Sequence, residues 1–559
     1  MSNRTRFGAC ALLLLLGIGS AASGFAQTVQ RGPYLQMATP TGIVVRWRTD
    51  QSVDGVVRYG TIASSLSQSA VGATGREHVV ELSGLQPDTR YYYSIGTSSG
   101  TLAGDPTYTF ATGPITGVAR ATRVWVVGDS GEANNAARAV RDAYKNFTGA
   151  RATDLWLMLG DNAYNNGTDT EYQAAVFDTY PELLRQVSVW PTLGNHDGYS
   201  ASSASQSGPY YDIFTLPKNA EAGGLASGTE AYYSFDRSNI HFIVLDSYDS
   251  DRSVNGTMLS WLENDLATNQ QDWLIAFWHH PPYTKGSHNS DTESELIDMR
   301  RNALPLLESY GVDLVLSGHS HSYERSFLID QHYGSSSTFD ASMKVDSGSG
   351  REDDTGAYVK SAVGAINQGA VYSVVGSSSK IEGGSLNHPA MYVSFNELGS
   401  MVLDIDGLRL DSTFLDDAGN VLDYFTLRKD GGGLPDTEAP SSPANIQVTG
   451  VTSNSVSLRW DAATDNVGVT GYRVSRNGQT IATVGGTSLD DSGLQPATSY
   501  NYSVRALDAA GNESAAATTN AATNLAAVAP GNSGGGGAMD LLFLFGLVLS
   551  LRRRAVRNE

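Results

Sequence analysis

The 559-residue chain contains a single cysteine, Cys10. It sits early in an apolar run, Ala9 to Ile18, that follows Arg4 and Arg6. With Ser23-Gly24-Phe25-Ala26 behind it, this start reads as a secretory signal (residues 1–26) cleaved after Ala26. Cys10 comes before most of the run, where a lipoprotein cysteine would follow it, so it leaves with the signal. The mature chain then has no thiol. Disulfides are excluded despite export, and stability must come from apolar cores and any bound metal. Cations are also scarce. Lys and Arg number 37 against 58 Asp and Glu, a formal charge of −21. Removing 1–26 (two Arg, no acid) gives −23, and removing 538–559 (four Arg, two acids) gives −25. Such a body is unsuited to nucleic acid or an anionic membrane as a stable partner. A full membrane span is lacking at the C-terminus too: Leu541 to Leu551 is shorter than the about 20 residues required.

What is abundant is glycine, at 60 residues, with 40% apolar residues overall. This is the composition of a turn-rich globular protein, and the length suggests three or four domains. The tail is a separate matter. Asn532-Ser533 and four glycines form a flexible spacer (524–537), followed by the apolar stretch and Arg552-Arg553-Arg554 (538–559). That order resembles the GlyGly-CTERM sorting tails of bacterial exported proteins. The resemblance implies transient membrane insertion with the arginines held in the cytoplasm, protein-sorting machinery as a partner, and cleavage near the glycines. The product would be secreted or displayed at the cell surface, with the periplasm also open. A permanent weak transmembrane helix is the plainer alternative.

Residues 28–113 read as all-β. Gly42 to Arg48 forms a strand around Trp47, and Gly55 to Tyr59 and His78 to Leu82 alternate in the strand manner. Gly84-Leu85-Gln86-Pro87-Asp88-Thr89-Arg90-Tyr91 follows, and Gly493-Leu494-Gln495-Pro496-Ala497-Thr498-Ser499-Tyr500 repeats it, with Trp460 upstream. Both segments resemble fibronectin type III sandwiches, each with a core tryptophan and a tyrosine corner. The tryptophans could be sugar platforms, but a sandwich needs a core aromatic. The second sandwich spans 443–523 behind a glycine-rich linker, 431–442. Thr112-Gly113-Pro114 reads as the linker after the first. Between them, 120–430 alternates strand and helix patterns. Ser335 to Lys344 and Asp346 to Thr355 read as a long exposed insertion whose acids match no calcium loop.

In this body five apolar strands end on metal-type side chains. Arg123 to Gly128 ends at Asp129. Leu155 to Gly160 ends at Asp161, with Tyr164 three residues on. Val187 to Gly194 ends at Asn195-His196-Asp197, and Trp273 to Trp278 at His279-His280. Val312 to Leu316 leads to Gly318-His319-Ser320-His321. If that last stretch is extended, His319 and His321 point the same way and can serve neighbouring ions. Sites of α/β sheets lie at the carboxyl ends of strands, so five such ends form a ligand list.

Gly128-Asp129-Ser130-Gly131, Gly160-Asp161-Asn162-Ala163-Tyr164, Gly194-Asn195-His196-Asp197, His279-His280-Pro281-Pro282-Tyr283 and Gly318-His319-Ser320-His321 resemble the calcineurin-like metallophosphoesterases, and among them the purple acid phosphatases. The trailing Ser322-Tyr323-Glu324-Arg325 and a fibronectin-like N-terminal domain fit that branch. The resemblance implies an α/β/β/α sandwich of two mixed sheets between two all-β sandwiches. It implies two metal ions, Asp129, Asp161, Tyr164 and His321 holding the first and Asp161, Asn195, His279 and His319 the second. Hard carboxylate and phenolate donors suit iron(III), and the other set suits zinc, manganese or iron(II). Tyr164 could instead be a packed loop residue; its spacing from Asp161 favours a ligand.

Two such metals would activate a hydroxide, orient a phosphate and neutralise its charge, which makes the chain a secreted phosphate-monoester hydrolase of the acid phosphatase type. Its partners would be phosphorylated small molecules or phosphoproteins. His196 is the candidate to contact phosphate and protonate the leaving group. Asp197 could orient it, or merely cap a turn. His288 lies where these enzymes place a substrate histidine, although the following position, often a second histidine, is Asn289. His280 reads as packing, His241 as a satisfied strand residue, and Asp246 and Asp249 as turn residues. His78, His332 and His388 have no ligand context. The same site could cleave phosphodiesters or nucleotides. From another class, two fibronectin-like modules and a sorting tail also suit a non-enzymatic adhesion or carbohydrate-binding protein.

Overall fold

The computed structural model describes residues 27–360, 368–429, 438–465, 468–508 and 511–526. The signal segment, the hydrophobic tail, most of the glycine spacer and residues 431–437 of the linker 431–442 lie outside the described residues. Among the described residues no helix is long and apolar enough to cross a membrane.

Two compact units are present. The first ends at Ser441 and takes in two short segments, Thr464–Thr470 and Leu507–Ser514; the second is the rest of the C-terminal part. The first unit is built on two mixed sheets. In the larger, ten-stranded sheet, Thr122–Val127, Leu155–Met158 and Ser188–Pro191 run parallel in the middle. Gly399–Asp406, Arg409–Asp416 and Val421–Lys429 continue it antiparallel on one side. The seven-stranded sheet carries Ile240–Val244, Trp273–Phe277, Leu314–Ser317 and Val371–Val375 in parallel. Every residue of the parallel strands Thr122–Val127, Leu155–Met158 and Trp273–Phe277 is buried. That explains their long apolar runs, from Val124 onward in the first, because a parallel sheet is covered on both faces. The helix Asn135–Thr148 turns Ala137, Val140, Ala143 and Tyr144 inward, and Tyr144 stacks on Trp125 at 4.5 Å between centroids. Arg325 and Asp423, both fully buried, join the two sheets by a forked pair at 2.6 and 2.9 Å. Such a pair is valuable for register more than for net stability.

The N-terminal sandwich is not a bead on a linker. Its strand Val29–Gln36 pairs parallel with Ser188–Pro191, Leu35 opposite Ser188, so Val29–Gln36, Gly42–Val53 and Gly75–Ser83 extend the ten-stranded sheet itself. The expected linker Thr112-Gly113-Pro114 is buried, and the Gly113 N–H donates to Thr39. It is therefore a packed junction, a correction that only the pairing reveals. The insertion 335–355 is mostly exposed, yet it is fastened. Asp291 accepts from the Ser336 backbone and hydroxyl, and the strand Lys344–Asp346 pairs with Leu328–Ile329. The second unit is a sandwich of a three-stranded sheet (Ala444–Val451, Ser455–Asp461, Ser488–Ser492) and a four-stranded one (Gln479–Val484, Val469–Arg476, Ser499–Asp508, Ala517–Ala522).

Candidate metal centre

Asp129, Asp161 and Asn195 stand at the carboxyl ends of the three parallel strands of the larger sheet. His279, His319 and His321 stand beyond Trp273–Phe277 and Leu314–Ser317 of the smaller one. The two sheets thus face each other across the cluster. Asp129, Asp161 and His319 adopt left-handed backbone, with φ of 54°, 49° and 65°. That region is costly for residues with a Cβ and persists where the surroundings impose it. Here it turns each side chain back over its strand end. Glycines allow the crowding. A Cβ on Gly194 would lie 2.2 Å from Asp161 Oδ1, and one on Gly318 would lie 2.4 Å from Asp129 Oδ2.

On one side, the Tyr164 hydroxyl donates to Asp129 Oδ1 at 2.9 Å and lies 3.2 Å from His321 Nε2, which is 3.4 Å from Asp129 Oδ1. On the other, His279 Nε2 is 3.0 Å from Asn195 Oδ1, 3.4 Å from Asp161 Oδ1 and 3.2 Å from His319 Nδ1. Asp129, Asp161 and His279 each offer a donor atom within 4.8 Å of the others. Behind the donors, His279 Nδ1 is held by the Leu159 carbonyl at 2.9 Å, which leaves Nε2 facing the cluster. His321 Nδ1 lies 3.0 Å from Glu382.

His319 and His321 do not lie on an extended chain. Ser320 N donates to Gly318 and Ser322 N to Ser320, both at 2.7 Å, so two tight turns aim the imidazoles at opposite halves of the site. They still reach neighbouring positions, but through turns and not through strand alternation.

The electrostatics describe a cluster that wants cations. Burial raises Tyr164 well above its usual pKa, and the charges of Asp129 and Asp161 raise it further. Burial would pull His279 down, but Asp161 and Asp129 outweigh it and hold it at about 9. Burial, with His279 and His288 nearby, pushes His319 down to about 4. Asp161 is fully buried; burial opposes its charge, yet His279, His196 and His319 keep it below the ordinary carboxylate range.

His196 and His288 are the more open imidazoles, with side chains 26% and 30% exposed. His196 Nδ1 donates to the Asn165 carbonyl at 2.7 Å, leaving Nε2 3.9 Å from Asp161 Oδ2. His288 Nδ1 is 2.8 Å from Glu293, and its ring lies 3.7 Å from that of His319. Asp197 does not orient His196, contrary to one sequence expectation. Its buried carboxylate accepts from Gly194 N, Asn162 N and Nδ2, and the Tyr172 hydroxyl. It binds the Asp161 loop to the Asn195 loop. Burial first, and then the Asp161 charge, raise its pKa to about 7.

Two residues escaped sequence reasoning. Glu293 faces both His288 and His319, 3.4 Å from His319 Nε2. Lys380 sits 4.0 Å over the Tyr164 ring and pairs with Glu132 at 3.5 Å. Neither lies in a motif that marks a ligand. Two further histidines are held by neighbouring side chains. His280 is buried against Ser247, and His241 is clasped by Asp236 and Asp265 at 2.7 and 2.8 Å. Asp246 accepts from the backbone of Tyr248 and Asp249, as a turn residue does.

Two facing mixed sheets with Asp, Asn and His at their strand ends define a metallophosphoesterase domain. Residues 122–323 match the family model of calcineurin-like phosphoesterases, residues 31–112 that of the purple acid phosphatase N-terminal domain, and residues 441–521 that of fibronectin type III domains. Along the sequence the chain therefore carries a purple acid phosphatase N-terminal domain, then a calcineurin-like phosphoesterase domain, then a fibronectin type III domain. It is 30% identical over 320 residues to purple acid phosphatase 15 of Arabidopsis thaliana, covering 49% of this chain and 57% of that protein, so it spans little more than half of that relative. The structure of a purple acid phosphatase from yellow lupin superposes with a TM-score of 0.53 at 18% identity, covering 73% of this chain and 78% of that one, a likeness of fold. A 79-residue stretch, 14% of this chain, is 56% identical to part of an alpha-amylase of Niallia circulans, 6% of that protein.

Proposed function

We propose that the protein hydrolyses phosphate monoesters at a dinuclear metal centre. The observation that carries this reading is the convergence of seven donors, from five strand ends on two sheets, onto one buried cluster. The residues fit two cations. Asp129, Tyr164 and His321 would hold one, Asn195, His279 and His319 the other, and Asp161 both. Bound there, the metals would supply an activated water and neutralise charge on the phosphoryl oxygens. Tyr164, buried among carboxylates, gives up its proton only to a highly charged ion, which favours iron(III) on its side. The nitrogen-rich side suits zinc, manganese or iron(II). His196 presents Nε2 toward the cluster with its other nitrogen fixed, which is how a proton donor to the leaving oxygen must be held. His288, held by Glu293, would contact the substrate phosphate.

Asp161→Ala and His319→Ala are expected to lower kcat on p-nitrophenyl phosphate by about a thousandfold or more while the circular dichroism spectrum stays unchanged. Near-full activity in either variant would refute the centre. Bis(p-nitrophenyl) phosphate run in parallel reads the ester class. Metal analysis with a visible spectrum reads the ions: iron with a phenolate charge-transfer band supports the Tyr164 assignment, and a colourless dinuclear protein removes it. Export belongs to the same proposal, and N-terminal sequencing of secreted protein, expected to begin after Ala26, checks it.

A further inference from the structure

A cavity of about 450 Å³ opens away from the metal centre. Its floor is the segment Gly149–Asp154, which leads into Leu155–Met158, and the segment Glu182–Val187, which leads into Ser188–Pro191. The metal donors follow those same strands, so the cavity lies at the opposite, amino-terminal edge. The N-terminal sandwich supplies its other wall through Arg90, Thr107 and Phe110.

The lining is cationic in a chain of net charge −21. Arg90, Lys145, Arg151, Arg185 and Arg237 face two carboxylates, Asp154 and Glu182. Lys145 is taken by Glu182, and Arg151 pairs with Asp404 at 2.8 Å. Arg237 reaches Asp154 through Nη2 alone, at 3.2 Å. Arg90 and Arg185 form no ion pair among the described residues. Arg237 belongs to the wall behind them. Its side chain is 4% exposed, and its Nε and Nη1 have no hydrogen-bond partner. Arg185 Nε is likewise buried and unpartnered. An unfilled guanidinium donor in a protein interior is costly and is normally matched by an acceptor. Burial also lowers the Arg237 pKa from its ordinary value, against the pull of Asp154.

We propose that this cavity is a binding site for a small dianion bearing a phosphate or carboxylate group, held by Arg185 and Arg90, the two lining arginines outside any ion pair, with Arg237 in the wall behind them. Forked donors match both oxyanions, and the volume suits a metabolite-sized ligand. Because the walls belong to the sandwich on one side and the catalytic body on the other, the bound anion would hold the two together and raise the unfolding temperature of the first unit.

The test uses the full-length chain carrying Asp161→Asn, so that the metal centre does not compete. Inorganic phosphate and succinate are titrated calorimetrically in separate arms. Saturable binding of at least one, weakened about tenfold or more by Arg90→Gln with Arg185→Gln and by rising salt, supports the site. Phosphate alone assigns a phosphoryl ligand, and both together a general dianion. Arg90 is exposed, so Arg90→Gln by itself keeps the fold and should still weaken binding severalfold. Absence of saturable binding in both arms, or affinity unchanged in the Arg90→Gln chain, overturns the proposal.

Discussion

The two β-sandwiches share a corner almost atom for atom and differ in what their strands do next. In the first, the Gln86 N–H donates to the Tyr91 hydroxyl at 3.0 Å, and in the second Gln495 N–H donates to Tyr500 at 2.9 Å. Thr89 and Thr498 hydroxyls donate to the Pro87 and Pro496 carbonyls at 2.8 and 2.9 Å. Asp88 and Ala497 both sit in left-handed backbone, at φ 47° and 50°. Trp47 and Trp460 are both buried. Two residues past each corner the parallel ends. The Tyr93 hydroxyl leaves its sandwich for the Arg185 carbonyl at 2.9 Å, whereas Tyr502 stays at home on Asp491 at 2.6 Å. The first sandwich repeats that outward choice. Tyr34 donates to Ile213, Arg46 bonds Thr215 at 3.0 Å, and Arg31 and Arg48 grip Asp169 at 2.9 and 2.7 Å. Local turn chemistry makes the sandwich; a few long polar side chains decide whether it is a separate body or part of the one that holds the candidate metal centre.

Deletion is the harshest way to break that comparison. Removing residues 28–113 bares the edge of Ser188–Pro191 and strands Asp169, Ile213 and Arg185 without their partners. The expected product is insoluble and inactive, because an unpaired hydrophobic edge invites aggregation. A chain that stops before the second sandwich keeps all seven candidate donors and the whole ten-stranded sheet, and loses from the first unit only the short segments Thr464–Thr470 and Leu507–Ser514. Its kcat and the unfolding temperature of the body should match the full chain. Soluble expression with phosphatase assay reads both, and a healthy enzyme without 28–113 would sink the claim that the first sandwich is structural.

Acid sharpens the contrast with a smaller effect. His78, His332 and His388 are buried in the first unit, and burial lowers all three pKa values, to about 4 for His332 and about 3 for His388. Folded, they stay neutral; unfolded, they take up protons below about 6.5. The stability they contribute is present above that value and is lost as pH falls from it toward the folded pKa. His241 acts in the other direction. Asp236 and Asp265 overcome its burial and hold it at about 9, so its contribution is complete below 6.5 and lost only as pH rises through 9. The second sandwich contains no histidine. Calorimetry between pH 7 and 5 should show the first unit weakening by about 1–2 kcal/mol for each deeply shifted imidazole, while the second transition shows no imidazole-driven change. Parallel shifts in both transitions would mean that carboxylates dominate.

Both the corners and the donors were legible in the chain because each is short-range. Leu-x-Pro-x-Thr-x-Tyr encodes its own turn, and a glycine followed by Asp, Asn or His at a strand end declares both the bend and a candidate donor. Glu293 and Lys380 were not legible. Nothing beside them in sequence marks a site, and only the folding of the loops at 288–293 and 377–382 over the donors brings them in. The pairing of Leu35 with Ser188 was hidden for the same reason, since strand register between distant segments is a tertiary decision. Asp197 misled because adjacency to His196 suggested contact, whereas the tight turn at Gly194–Gly198 sends the two side chains apart. The extended reading of His319-Ser320-His321 failed because Ser320 and Ser322, each following a histidine, close tight turns.

The mildest test exchanges one atom on each side. Tyr93→Phe removes a hydroxyl that serves the Arg185 carbonyl, and Tyr502→Phe removes one that serves a carboxylate. Neutral hydrogen bonds contribute about 1 kcal/mol and those to charged groups about 1.5–3. The second substitution should therefore cost the isolated C-terminal transition more than the first costs the body. The comparison predicts a further difference that size alone does not. Tyr93→Phe loosens Arg185, one wall of the cationic cavity, so its loss should grow at low salt, where the cluster of like charges is least screened. Tyr502→Phe also leaves Asp491 beside Arg476, an ion pair at 2.8 Å that partly compensates, so its loss should vary little with salt below physiological strength. Equal salt dependence in the two variants would show that the outward bond of Tyr93 is no more than a packing contact.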